Sequence, residues 1–177
     1  MQRFTLSRFA FAWLFTLSCI YVMAQERKPS PVQPPDGFKF DGTWDCAGTF
    51  RNGKTHHAAY QGKMILGETW IELSEQDIEP KTGYVAKYLI GYDAQQKKIV
   101  EFDANNFSAA TYTSEAGWQN GTLALTSPIS DDSKAPYAAN RFVFHIDKPD
   151  AFTVDWEISK TANLNWVSAD HLSCKRT

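Results

Sequence analysis

Two cysteines could do covalent chemistry in the body of this 177-residue chain: Cys46, in Gly42-Thr43-Trp44-Asp45-Cys46, and Cys174, in Cys174-Lys175-Arg176. Facing residues of an antiparallel strand pair have index numbers with a constant sum, and the pair Trp44/Arg176 shares its sum with the pair Cys46/Cys174. One register therefore predicts a Cys46–Cys174 disulfide and a guanidinium laid over an indole face. Histidine is the next candidate chemistry. His56-His57 is the one adjacent pair, and neighbours on a strand face opposite sides, so one buried and one surface imidazole are expected instead of a shared metal. His145 alternates with Phe144 and Ile146 and is expected outside. No Cys or His spacing of a zinc site occurs, and no metal is expected. Asp170 is expected inside, close to Arg141 or Lys63, as a structural ion pair ahead of a general base. Asp131-Asp132 falls in the polar Pro128 to Pro136 loop, where solvated turn residues belong. A nucleophile elbow, a His-Glu-x-x-His helix and a phosphate-binding glycine loop are all absent, so no catalytic residue is assigned. A small hydrolase and a structural or interaction module remain as alternatives.

The elements that must hold these groups are strands. From Phe38 onward, short runs rich in aromatic and β-branched residues are separated by turn residues, with no sustained helical period. Asn120-Gly121 predicts a two-residue hairpin turn between Gly117-Trp118-Gln119 and Thr122 to Leu125. A second hairpin joins Phe142 to Ile146 with Phe152 to Ile158. Further strands are expected over Thr43 to Phe50, Thr55 to Leu66, Glu68 to Ser74, Gly83 to Tyr92, Lys98 to Ala104, Phe107 to Ser114 and Leu164 to Lys175. If the first and last strands pair antiparallel in an up-and-down order, their number is even, and we expect about ten. The fold class is then all-β: a closed antiparallel up-and-down barrel, which removes both sheet edges.

Alternation assigns the faces. With Trp44 inside, Cys46, Gly48 and Phe50 share its side. With Cys174 inside, Leu172 and Asp170 follow, while His171 points out. Tyr84, Tyr88, Tyr112, Trp118, Phe142, Phe144 and Trp156 are the expected lining of an interior binding site. Two readings of so many aromatics stay open at this point: they fill the barrel, or they wall a pocket whose tyrosine hydroxyls orient a ligand.

Residues 1–24 have the pattern of a signal peptide: Arg3 and Arg8, a nearly continuous apolar run from Phe9 to Met23, and Val22-Met23-Ala24 before Gln25. Export to the periplasm or the extracellular space is expected, with no membrane span after cleavage. Half of the 8 prolines lie between Pro29 and Pro35, so residues 25–37 are expected as a stiff polyproline linker, leaving 38–177 as one barrel domain. Losing Arg3 and Arg8 from 18 basic residues against 20 acids leaves the mature chain at about −4. Its charges are scattered without a basic patch, which argues against nucleic acid or an anionic membrane as the main partner; the partner expected from the aromatic interior is a small hydrophobic molecule. The oligomeric state is open.

The Gly42-x-Trp44 opening and the terminal Arg176 resemble the signature of the lipocalin-like calycin barrels, in which a first-strand tryptophan packs under a basic residue of the last strand. Gly91-Tyr92-Asp93, Gly117-Trp118 and Lys175-Arg176 look like an exported bacterial lipocalin-like family of unknown function. The resemblance covers roughly Asp41 to Arg176 and implies a barrel that binds a small hydrophobic or amphipathic ligand without a cofactor. Gly42-x-Trp44-x-Cys46-x-Gly48 and His171-Leu172-Ser173 are also similar to the nitrobindin-type haem barrels. That second resemblance implies haem as an alternative cofactor, with His171 as its ligand.

Overall fold

The computed structural model of the protein describes residues 32–177; the expected signal peptide and the first part of the linker lie outside them. Ten strands follow in chain order: β1 Gly42–Phe50, β2 Thr55–Ile65, β3 Trp70–Glu79, β4 Val85–Asp93, β5 Lys98–Asn105, β6 Ala109–Ser114, β7 Thr122–Thr126, β8 Ala139–Lys148, β9 Ala151–Ser159 and β10 Val167–Arg176. Each pairs with its sequence neighbours, and β1 pairs with β10, so the antiparallel sheet closes into a barrel.

The closing seam has the expected register, with Trp44 opposite Arg176 and Cys46 opposite Cys174. The two cysteines are disulfide-bonded, their Cα atoms 4.0 Å apart. Arg176 lies 4.1 Å above the Trp44 ring and donates to the backbone carbonyls of Asp41 and Lys39. Gly42 makes room for this contact. Its φ is +114°, and a Cβ there would stand 2.9 Å from the guanidinium, a conformation and a clearance that favour glycine.

The barrel has one plugged end. Residues 32–41 fold back over it, through a short 3-10 turn at Pro35–Gly37, and bury Val32, Phe38 and Phe40. Phe38 stacks on Trp44 at 5.6 Å, and Phe40 meets Phe152 edge-on at 5.1 Å. The described part of the expected linker is therefore packed against the barrel.

Several boundaries differ from expectation for backbone reasons. Asn120 and Gly121 have φ of +50° and +79°, as the hairpin turn requires, but Gly117 to Gln119 form only an isolated bridge instead of a strand. Leu66, Gly67 and Glu68 all have positive φ, so β3 starts at Trp70 and not at Glu68. Leu164, at φ +55°, likewise keeps β10 from starting before Val167.

Candidate functional site

The loops β1–β2, β3–β4, β5–β6, β7–β8 and β9–β10 gather at the end opposite the plug, where a cavity of about 550 Å³ opens between the strands. Its lower wall comes from inward positions of β4, β6 and β8, where Phe142 meets Tyr112 at 5.1 Å and Tyr88 at 5.7 Å, both edge-on. Tyr84 and Phe107 stack near the rim at 6.0 Å. Across from them are Val154 and Trp156 of β9 and Leu172 of β10.

Polar groups converge on this apolar wall. His56, 3% exposed, stacks on Phe50 at 4.3 Å. Its Nδ1 bonds Asp170 Oδ2 at 2.7 Å, and its Nε2 bonds Asp77 Oδ1 at 3.0 Å. Acceptors at both ring nitrogens are satisfied together only when both carry protons. Burial alone would lower the pKa of His56; hydrogen bonds and charge from Asp170 and Asp77 outweigh it and hold the value at about 9. Thr82 Oγ1 donates to the second oxygen of Asp77 at 2.6 Å.

Glu75 is buried one position deeper on the same face of β3. Tyr88 donates to its Oε2 at 2.5 Å, and the Tyr84 and Tyr88 hydroxyls are 3.2 Å apart. Burial pushes Glu75 up to about 7, against the pull of the Tyr88 and Tyr60 hydroxyls and of His56. Burial also raises Asp103, whose carboxylate accepts from Asn105 at 3.2 Å. Beneath the cavity, Glu101 is wholly buried with neither oxygen hydrogen-bonded. Burial, with the nearby Asp103 charge, pushes its carboxyl well above its usual value, which favours the neutral form.

Of the residues expected to line a site, Tyr84, Tyr88, Tyr112, Phe142 and Trp156 lie on this cavity. Trp118 and Phe144 do not. Trp118 is on the β6–β7 loop at the plugged end, where its indole nitrogen donates to the Val32 carbonyl at 3.2 Å. Phe144 points inward but at a lower level, edge-on to Phe40 at 5.9 Å. Asp170 is interior, but its partner is His56 and neither cation expected for it. Arg141 pairs with Glu157 at 2.5 Å and covers Trp166, while Lys63 pairs with Glu72 at 3.1 Å. His57 and His145 bond Asp45 and Thr122 on the outer face. Alternation required one interior histidine of the adjacent pair, and His56 is that one, but Glu75, Asp77 and Tyr60 were missed. Tyr60 faces Trp44 across β1 and β2, so carrying the inward assignment over one strand would have found it.

Ligand atoms of His56, Glu75 and Asp77 lie within 4.8 Å of one another, a spacing that could hold a cation if His56 gave up its bond to Asp77. Haem does not fit the residues present. His171 faces outward and bonds Asp155 at 2.7 Å, and the interior His56 has both nitrogens engaged by carboxylates, so no imidazole is free to reach an iron in the cavity. No protein-family model matches the chain, and no curated protein matches it either.

Proposed function

We propose that this protein is a calycin-type, lipocalin-like barrel that takes a small hydrophobic or amphipathic molecule into its interior after export to the periplasm or the extracellular space. The observation that carries the reading is the open cavity of about 550 Å³ in a barrel plugged at its other end. That volume falls in the range of small-molecule sites, and aromatic walls with a few converging polar groups are their usual composition. The Trp44–Arg176 contact at the plugged end supports the calycin assignment. The disulfide supports an oxidising compartment.

The test is twofold. Native mass spectrometry of the purified protein, before and after solvent extraction, is expected to show a retained small molecule or an empty barrel that accepts one. Titration with N-phenyl-1-naphthylamine is expected to give one fluorescent site. Ala110 lines the cavity, so Ala110→Trp should abolish that site without changing the melting temperature by more than a few degrees. A protein that binds neither probe nor endogenous ligand, or a probe site indifferent to Ala110→Trp, would remove the proposal.

A further inference from the structure

We infer that the occupant of the cavity is an organic cation: an amine on an apolar, ring-sized body, its N–H groups directed at the carboxylates of the wall. This rests on the ligand-binding reading above and narrows it to a chemical class.

Charge is the first ground. Glu75, Asp77, Asp103 and Asp170 line the cavity with no lysine or arginine among the described residues around it. The one basic group, His56, is already held between Asp77 and Asp170. A carboxylate or phosphate ligand would find no free counter-charge and would face four acids. An ammonium would find the opposite.

Hydrogen bonding is the second ground, independent of the first. Two side-chain atoms of the lining are buried without a partner, Asp170 Oδ1 and Asn140 Oδ1. Asn140 is only 7% exposed. Both atoms are acceptors, so what they lack is a donor, and a buried acceptor left unpaired is costly. They stand on β10 and β8, on either side of β9, whose Trp156 also faces the cavity.

The walls agree with this. Tyr84, Tyr88, Tyr112, Phe142 and Trp156 present π systems whose faces are negative, and a cation over such faces is favoured more strongly where water is excluded. An ammonium would also relieve the burial that pushes Asp103 and Glu75 up, because a nearby positive charge favours their ionised forms.

Three probes sharing one ring system separate the class from the pocket: 1-naphthylmethylamine, 1-naphthalenemethanol and 1-naphthoate, titrated calorimetrically at pH 7 into the full mature protein. The amine is expected to bind about tenfold tighter than the alcohol, a gain of about 1.4 kcal/mol, and the carboxylate more weakly than either. Asp103→Asn and Asp170→Asn should each narrow the amine-to-alcohol ratio. Asp103 is hydrogen-bonded only to Asn105, so its variant keeps the test valid if loss of the His56 partner unfolds the other. An alcohol that binds as well as the amine overturns the inference and leaves the pocket standing. Naphthoate binding best overturns it as well. Failure of all three to bind overturns the inference, while the pocket itself stands or falls on the retained-ligand and N-phenyl-1-naphthylamine measurements above.

Discussion

His56 has a carboxylate on each ring nitrogen and is almost fully buried. Deprotonation would leave one carboxylate facing a lone pair instead of a donor. The pKa is raised from 6.5 to about 9, so the folded state holds a proton that the unfolded chain releases. This stabilisation is complete below about pH 6.5 and is lost as pH rises through about 9. Urea unfolding is therefore expected to show wild type ahead of His56→Gln by about 2–3 kcal/mol at pH 6, the gap narrowing steadily to pH 9.5. A gap that does not change with pH would refute the charged histidine. Alternation required one of His56 and His57 inside and the other outside, because that rule needs only the strand, and the structure decided that His56 is the buried one. It could not supply the partners: Asp77 and Asp170 are 21 and 114 residues away, and only the barrel's closure brings both within reach of one ring.

At the scale of the element, the β3–β4 pair shows how a glycine in a strand is made good. Trp70 faces Gly91 in register, and its indole lies flat where a side chain on Gly91 would be. A Cβ there would come within 2.1 Å of the ring. The indole also stacks on Phe102 of β5 at 6.1 Å, so a single ring covers three strands on the outer face. Gly91→Ala should displace it and lower the unfolding free energy by about 1–3 kcal/mol, with a change in tryptophan fluorescence. Trp70→Ala should make the same glycine substitution nearly silent, a coupling that a double-mutant cycle would measure. Strand existence was legible along nearly the whole chain because alternation and turn residues are local signals. Boundaries at Leu66–Glu68 and at Leu164 were not, since positive φ at non-glycine residues is imposed by the surrounding turn and leaves little trace in residue type. Trp118 misled for the same kind of reason: an aromatic before a strong hairpin turn has the pattern of a strand, and it became a loop residue against the plug.

The whole molecule is a ring of strands locked at its seam by Cys46–Cys174. The bond closes a loop across a sequence separation of 128 residues, and restricting the unfolded chain over that length is worth up to roughly 4–5 kcal/mol in the chain-entropy model. The double variant Cys46→Ser/Cys174→Ser is expected to lose about 2–4 kcal/mol in denaturant unfolding while keeping its β-type circular dichroism, because Trp44, Arg176 and the backbone ladder still hold the seam. Loss of all cooperative structure would mean that the disulfide, and not strand pairing, closes the barrel. By itself, the sequence determined the all-β class, the antiparallel closure and the register of first strand on last. Index sums and alternation are properties of paired chains, whatever surrounds them. Only the tertiary structure decided which end is plugged, which five of the seven expected aromatics reach the cavity, and that its polar cluster is acidic around a single histidine. Those outcomes depend on depth along the barrel axis and on strands far apart in sequence, and neither is encoded in the two-residue period of a strand.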